Sequence, residues 1–154
     1  MCQHPSTKIM TELIQKQWAD HSIHAAIVNE KSEIIAIGKT TVFQTNDPTA
    51  HAEINAIRSA CKLLKTDTLP PDYWLYSTFE PCPLCLSAVL WSGIDGVVYA
   101  NDPRFRGSLP DWSFIKCRTM LEQGVDIHQV KLIENFMLDE IKDYFTRHEK
   151  RKVF

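Results

Sequence analysis

The sequence predicts an α/β layered domain built around a central sheet. Three observations predict it. Apolar, β-branched segments alternate with segments of helical periodicity, which is typical of a sheet covered by helices. Each of the two segments rich in metal ligands stands at the start of a predicted helix that follows a strand. The chain of 154 residues has the length of one domain with a single core, so we expect one domain over residues 1–154.

The N-terminal part of the chain predicts a helix followed by a β-hairpin. The helix covers about Lys8 to Asp20, with its apolar residues roughly on one face. The segments Ile23 to Asn29 and Ile34 to Val42 are apolar and β-branched, and a polar turn separates them. This pattern indicates two antiparallel strands.

Residues 47–64 predict a helix that carries a histidine and a glutamate near its start. Asp47-Pro48-Thr49 supplies cap-type residues and a proline suited to a first turn. Apolar positions then recur at helical spacing, at Ile54, Ile57, Cys61 and Leu64. We therefore expect His51 and Glu53 in the first turn of this helix.

Residues 74–93 predict a buried strand followed by a helix that carries two cysteines. The strand covers Trp74 to Phe79, and the helix begins at Pro83 and ends at Gly93. Cys82 and Cys85 lie three positions apart on the first turn, so both sulfurs can face one point. Because both ligand-bearing helices follow strands, their first turns can converge at one end of the sheet.

The C-terminal part predicts two further strands and a helix. Ile94 to Ala100 is an apolar strand, and a loop rich in proline, arginine and glycine follows it. Val125 to Val130 predicts a short strand, and Phe136 to about Lys150 predicts a long charged helix.

Composition excludes several classes of protein. The formal net charge of −2 gives no basic field that would attract nucleic acid. No apolar run is long enough to cross a bilayer, and the N-terminus lacks the pattern of a secretory signal, so we expect a cytoplasmic protein. The five cysteines are an odd number, which indicates a metal site with incidental thiols in a reducing compartment.

His51, Cys82 and Cys85 together predict a catalytic zinc site. Zinc prefers nitrogen and sulfur ligands in a tetrahedron, and three protein ligands leave the fourth position to water, whose pKa zinc lowers to about 7. Glu53 lies two residues from His51, so on a helix it misses the metal and reaches beside it. That position suits a carboxylate that moves a proton from the water to a leaving group.

The chain resembles the bacterial guanine deaminases of the cytidine deaminase superfamily. The resemblance lies in residues 45–53 (TNDPTAHAE), 56–58 (AIR) and 80–86 (EPCPLCL), and Trp91 extends it. The spaced His-x-Glu and Pro-Cys-x-x-Cys motifs are the signature of zinc-dependent deaminases. The resemblance implies a three-layer α/β/α fold with a central five-stranded mixed sheet and one zinc per subunit. It also implies hydrolysis of an exocyclic amine on a purine-like base, which for guanine gives xanthine and ammonia.

The resemblance also implies how the base is held and how subunits assemble. It implies that the backbone near Ala52 and Cys82 seats the base, and it makes Trp91 a candidate substrate-binding residue. Close relatives form homodimers in which the C-terminal segment covers the partner's site and ends in an aromatic residue, here Phe154. The alternative is that Tyr144 and Phe145 pack on the core and Phe154 frays.

Three departures from the family pattern fall in the expected substrate pocket. His24 stands where the family has a phenylalanine, and Thr40 stands where it has the asparagine that reads the base. The family's adjacent aspartates are replaced by Asp111-Trp112, which places Trp112 at the position that assists proton transfer unless a one-residue shift brings Asp111 there. These changes keep hydrolytic deamination and leave another aminated heterocycle or nucleoside open as the substrate.

Two other functions stay open on the sequence. The first alternative is a tRNA-specific adenosine deaminase, which shares the zinc motif. In such an enzyme the basic residues near the C-terminus could contact phosphates: Arg147, His148, Lys150, Arg151 and Lys152. The acidic balance and the run at residues 45–49 favour a free base over nucleic acid. The second alternative is a non-catalytic zinc module, although a structural site has no use for an acid such as Glu53 beside its metal.

Overall fold

The fold is organised around a five-stranded sheet in the order β2-β1-β3-β4-β5. The structure, a computed structural model, describes residues 4–147. The strands are β1 (His24–Val28), β2 (Ile34–Lys39), β3 (Trp74–Phe79), β4 (Gly96–Asn101) and β5 (Lys131–Ile133). β1 pairs antiparallel with β2 and β3, whereas β3–β4 and β4–β5 are parallel, so the sheet is mixed.

Helices cover both faces of this sheet. They are α1 (Thr7–Asp20), α2 (Val42–Thr45), α3 (Ala52–Leu64), α4 (Pro83–Ser92), α5 (Cys117–Gln123), α6 (Leu138–Ile141) and α7 (Tyr144–Arg147). The Tyr76 hydroxyl accepts a hydrogen bond from the backbone of Ser6, the N-cap of α1. The next residue, Ser77, donates to Glu53 on α3. Since successive strand residues point to opposite faces, α1 and α3 lie on opposite sides, which confirms the predicted three-layer α/β/α architecture.

The apolar core fills both interfaces between the sheet and its helices. Side chains with no exposed surface come from α1, β1, β3, α4 and β4, and they include Leu13, Ile27, Leu75, Leu86 and Val98. None of the helices in residues 4–147 is long and apolar enough to span a bilayer.

Several elements lie where the sequence predicts them. The helix from Thr7 to Asp20 and the strand from Trp74 to Phe79 have the expected bounds within one residue. α4 begins at Pro83, and Gly93 caps its C-terminus at a φ of 71°, a left-handed conformation that glycine adopts without steric cost. These elements carry their start and stop signals locally.

The start of α3 differs from the prediction. The helix begins at Ala52 with His51 as its N-cap, rather than at residues 47–49. Asp47 caps a turn instead, since its Oδ1 accepts from the backbone and hydroxyl of Thr49 at 2.9 and 2.6 Å. The strand predicted to reach Val42 ends at Lys39, and the unpredicted short helix α2 follows.

The predicted strand over Val125 to Val130 is wrong. Residues 124–127 form a turn after α5, in which the amide of Ile127 donates to Gly124 O at 2.9 Å. Val125 and Ile127 are exposed, so their β-branched side chains do not form a buried strand face. The edge strand β5 begins only at Lys131, where it pairs with β4, and the helix α5 was not predicted.

The long helix predicted from Phe136 is also wrong. Asn135 and Met137 have left-handed φ values of 55° and 60°, which prevents a helix from beginning at Phe136. Two short helices, α6 and α7, follow instead. Tyr144 and Phe145 are buried with no exposed surface, so the chain bends to place both rings against the core.

Candidate active site

Three metal-ligating side chains converge at the N-terminal ends of α3 and α4. His51 is the N-cap of α3, Cys82 is the N-cap of α4, and Cys85 lies in the first turn of α4. Their ligand atoms all lie within 4.8 Å of one another. The expected convergence of the two helix starts at one end of the sheet is therefore present.

The spacing of the ligand atoms fits a tetrahedral zinc site. His51 Nδ1 lies 3.4 Å from each sulfur, and the Sγ atoms of Cys82 and Cys85 are 3.7 Å apart. Zinc bond lengths of about 2.3 Å to sulfur and about 2.0–2.1 Å to nitrogen give tetrahedral edges of about 3.8 Å (S–S) and about 3.6 Å (S–N). The three residues thus fit one face of a zinc tetrahedron, and within residues 4–147 no further histidine, cysteine or carboxylate joins the cluster.

A close contact between β2 and α3 holds the histidine end of this site. A Cβ added to Gly38 would lie 2.3 Å from Ala52 O and 2.4 Å from Ala56 N, both backbone atoms of α3. Only glycine permits this approach, so Gly38 lets the first turn of α3 rest directly on the sheet. Ala52 is fully buried there, between His51 and Glu53.

The ligands perturb one another's protonation. The pKa of Cys82 is lowered to about 4 because hydrogen bonding with Cys85, and then with His51, stabilises its thiolate. The pKa of Cys85 is raised by the same bond to Cys82 and by burial, and the bond to Cys82 raises the pKa of His51. The site therefore favours one thiolate before metal binds, and the second thiol must release its proton to become a ligand.

Glu53 lies beside the ligand cluster in a buried position. Its side chain is 5% exposed, and burial raises the pKa of its carboxyl. Ser77 Oγ donates to Oε1 at 2.9 Å, while Oε2 lies 3.4 Å from Cys85 Sγ. The carboxyl thus has one oxygen directed at the sheet and one directed at the ligands.

A cavity of about 250 Å³ opens onto the cluster. The residues that line it are Ile23, Thr40, His51, Glu53, Glu80, Cys82, Pro110 and Trp112. Thr40 and Trp112 were predicted to bind substrate, and both belong to this lining. The Trp112 ring packs on Phe79 and on Phe145, with ring centroids 4.5 and 5.6 Å apart, so a rigid aromatic group forms one wall.

The structure corrects the predicted pocket position of His24. The imidazole is not among the side chains that line the cavity; its Nδ1 contacts Ser22 O at 2.8 Å and its Nε2 contacts Asp20 Oδ2 at 3.1 Å. Ile23 lines the cavity instead. Successive strand residues alternate between faces, so a one-residue difference moves the side chain to the other side of the sheet.

Two other predicted residues, Asp111 and Trp91, are also not among the residues that line the cavity. Asp111 is half-buried; its carboxylate pairs with Lys116 Nζ at 2.9 Å and accepts from the backbone amide of Ser113 at 3.0 Å. Trp91 is 71% exposed on α4, whose other face is the one that packs on the core. Phe154 lies outside the described residues, and through Arg147 the C-terminal segment packs on its own chain.

Sequence reasoning missed two buried polar residues of the site, Ser77 and Glu80. Both are buried, and Glu80 lies in the cavity lining with the pKa of its carboxyl raised by burial. A serine within the apolar strand β3 is the one local signal, because a buried hydroxyl needs a hydrogen-bond partner. Its partner Glu53 is distant in sequence, so the pattern along the chain did not reveal the pair.

Comparison with known proteins identifies the family. The family model described as the cytidine and deoxycytidylate deaminase zinc-binding region matches residues 6–101. The guanine deaminase of Bacillus subtilis (strain 168) is 48% identical over 77 residues, which are 50% of this chain and 49% of that protein. The chain thus matches about half the length of that relative. The tRNA-specific adenosine deaminase of Aquifex aeolicus (strain VF5) is 32% identical over 126 residues, which are 82% of this chain and 79% of that protein.

Solved structures show the same fold. A guanine deaminase from Nitrosomonas europaea superposes with a TM-score of 0.77 at 22% identity, covering 94% of this chain and 82% of that one. The guanine deaminase of Bacillus subtilis superposes with a TM-score of 0.57 at 37% identity, over 64% of this chain and 66% of that one. Because the zinc-binding region of the family spans the ligand cluster and most of the sheet, this chain belongs to the zinc-binding cytidine and deoxycytidylate deaminase family.

Proposed function

We propose that the protein is a zinc-dependent aminohydrolase that converts guanine and water into xanthine and ammonia. One observation carries the proposal. A tetrahedral set of three ligands and a buried carboxyl, Glu53, meet at a cavity of about 250 Å³. The similarity to the Bacillus guanine deaminase, at 48% identity, supports guanine as the substrate.

His51, Cys82 and Cys85 hold the zinc in this proposal. Zinc bound by three protein ligands supplies a water that is acidic enough to react at neutral pH. The thiolate already favoured at Cys82 provides the first anionic ligand.

Glu53 moves the proton. Its raised pKa lets Oε2 accept a proton from the attacking water and return it to the exocyclic amine, which leaves as ammonia. The new carbon–oxygen bond replaces the carbon–nitrogen bond, and no oxidant or reductant is needed.

The cavity lining determines the choice of base. Trp112 and Ile23 supply apolar walls for a flat ring, and the buried Thr40 supplies a hydroxyl that both donates and accepts. Backbone amides in the first turn of α3, at Ala52, lack acceptors within the helix and can seat polar atoms of the base. Sites for drug-sized ligands occupy about 300–1,000 Å³, so this smaller cavity suits a free base.

A second candidate function is adenosine deamination in tRNA. The Aquifex relative supports it, since that match covers more of this chain than the guanine deaminase match does. The net charge of −2 disfavours a polyanionic substrate. A third candidate, another aminated heterocycle or nucleoside, follows from Thr40 and Trp112, which depart from the family's pocket. The buried Glu53 disfavours a non-catalytic zinc module.

An ammonia-release screen on the zinc-loaded protein distinguishes these functions. We expect release from guanine and much less from adenine, cytosine, their nucleosides, aminated triazines or a tRNA anticodon stem-loop. Ammonia release from the stem-loop that falls steeply with salt concentration would favour adenosine deamination in tRNA. Bound zinc without ammonia from any substrate would favour the binding module.

Substitutions at the site separate metal binding from chemistry. We expect Glu53→Ala to retain zinc and to lower kcat by at least about 10²–10⁴-fold, because it removes the group that moves the proton. Cys82→Ala and Cys85→Ala should lose zinc and lower Tm, since metal binding is coupled to folding. Zinc content, kcat and Tm are measured together.

Cys61→Ala is the matched control and should change none of these three quantities, because Cys61 is a half-buried thiol on the far part of α3. Zinc-loaded Glu53→Ala protein with undiminished kcat would contradict the mechanism.

We also propose that the protein is a cytoplasmic homodimer. The cytoplasm keeps thiols reduced, as the cysteine ligands require. For the dimer, the support is the outer face of α4, where Leu84 and Trp91 are 41% and 71% exposed. Their seven-residue spacing places both on one side of the helix, so together they form an apolar surface that a second subunit can cover.

A further inference from the structure

We propose that Ser77 is a positioning residue for the catalytic carboxyl of Glu53. Its hydroxyl fixes Oε1 against the sheet and thereby directs Oε2 toward the metal ligands. The inference rests on the proposed function, because positioning Glu53 matters only if that carboxyl moves a proton. It adds a residue of β3 to a site otherwise formed by the ends of α3 and α4.

The hydrogen bonds of Ser77 determine where its proton lies. Ser77 is fully buried, and its Oγ lies 2.9 Å from Glu53 Oε1. The same Oγ accepts from the backbone amide of Phe79 at 3.4 Å. A serine hydroxyl has one proton, and the Ser77 hydroxyl donates it to Glu53 Oε1 while its lone pair accepts from Phe79.

The other oxygen of Glu53 is left for the reaction. Oε2 lies 3.4 Å from Cys85 Sγ, which can donate to it only as a thiol. A cysteine that binds zinc does so as a thiolate and has no proton to donate. Among the side-chain hydrogen bonds to Glu53 in the described structure, the bond from Ser77 is therefore the one that persists in the zinc-loaded site.

Fixing one oxygen has a kinetic consequence. A glutamate carboxyl at the end of its side chain can rotate, and proton transfer requires it within hydrogen-bond reach of the reacting group. A rigid strand is a precise support for such a group. Loss of this support leaves the carboxyl free to rotate, so a smaller fraction of the protein holds Oε2 in the reactive orientation and kcat falls.

The test compares variants that differ in the hydroxyl alone. Threonine and valine have the same shape, so Ser77→Thr and Ser77→Val disturb packing equally while only the first retains a hydroxyl. We expect Ser77→Val and Ser77→Ala to lower kcat about 10–100-fold, with KM within about twofold and zinc content unchanged. Ser77→Thr should retain most of kcat. Ser92→Ala is the matched control, because Ser92 is a buried serine whose hydroxyl donates to a backbone oxygen of α4.

A second measurement does not depend on turnover. Crystal structures of the zinc-loaded protein should show Oε1 on Ser77 in the original chain and a rotated Glu53 carboxyl in Ser77→Ala. If Ser77→Thr and Ser77→Val lose kcat equally, or if the carboxyl keeps its orientation in Ser77→Ala, the positioning role is wrong. A chain that releases no ammonia from any base refutes the proposed function instead, and the crystallographic comparison still decides the role of Ser77.

Discussion

Buried ionisable side chains show how single residues acquire their chemistry here. Burial disfavours the charged form, so it raises the pKa of the Glu53 carboxyl and lowers the pKa of the His24 imidazole. The first shift suits a group that exchanges protons at neutral pH. The second belongs to a residue that faces away from the cavity, beside Asp20 and Ser22. The same physical cause thus suits the proton transfer that we propose for Glu53 and has a cost to stability at His24.

The lowered pKa of His24 predicts a pH dependence of stability. The unfolded chain protonates this histidine near its ordinary pKa of about 6.5, whereas the folded protein does so only at lower pH. The unfolded state therefore binds more protons in this window, and the free energy of unfolding should decrease as the pH falls below about 6.5. His24→Gln, which does not titrate, should lack this component.

Urea denaturation of the zinc-loaded protein between pH 5 and pH 8, compared with His24→Gln, measures the difference. Any effect of pH on the metal ligands is common to both proteins and cancels in the comparison. Parallel stability curves would show that His24 contributes no pH dependence. Unchanged KM and kcat in the variant at pH 8 would agree with a side chain that lies outside the cavity.

At the scale of elements, the site depends on where two helices begin. α3 carries apolar residues at helical spacing, and α4 has Pro83 in its first turn and Gly93 as its C-cap. The ligands lie at their N-caps or in the first turn. The sheet on which the two helices pack brings their N-termini together. β1 lies between β2 and β3 in the sheet, and α3 rests on β2 at Gly38.

Gly38→Ala should displace α3. The added methyl group would overlap the backbone of α3, at 2.3 Å from Ala52 O, and a helix backbone cannot rotate away as a flexible side chain can. We expect a loss of about 1–3 kcal/mol in the free energy of unfolding, the usual cost of overpacking. We also expect weaker zinc binding and a lower kcat, because His51 and Glu53 flank Ala52.

Gly124→Ala provides the comparison for Gly38→Ala. Its added methyl group would meet first the end of the Leu90 side chain, at 2.4 Å, which can move. Chemical denaturation and zinc titration of both variants measure the effects. If Gly124→Ala weakened zinc binding as much as Gly38→Ala, the contact between β2 and α3 would not be what supports the site.

At the scale of the whole molecule, the part of the chain from β5 to Arg147 packs behind one wall of the cavity. β5 pairs with β4, and the buried Phe145 packs edge-on against Trp112, with centroids 5.6 Å apart. The segment after β5 therefore supports a cavity residue from its own chain. The outer face of α4 stays exposed and apolar, and it is the surface that we assign to the dimer.

Trp91→Glu should convert the dimer into a monomer. A charge at the centre of an apolar interface is desolvated without a partner, which costs several kcal/mol. Sedimentation velocity across a range of protein concentrations measures the association. Leu63→Glu is the matched control, since Leu63 is a large apolar residue that is 64% exposed on α3. A wild-type chain that is monomeric at all concentrations would refute the dimer, and equal effects of both variants would refute the assignment to α4.

Local patterns were sufficient to predict the family, the clustering of His51, Cys82 and Cys85, the layered fold, and helices and strands such as α1, β3 and α4. Capping, periodicity and ligand spacing act over a few residues, so they can be read directly along the chain. The prediction of one domain over residues 1–154 stays a prediction.

Only the tertiary structure decided which side chains meet at the cavity. Ile23 rather than His24 lines it, because strand alternation assigns neighbouring residues to opposite faces. The predicted C-terminal helix is interrupted because burying Tyr144 and Phe145 outweighs its helical pattern. Ser77 meets Glu53 across the interface between β3 and α3. Such contacts join residues distant in sequence, and their free energy depends on packing that no local pattern contains.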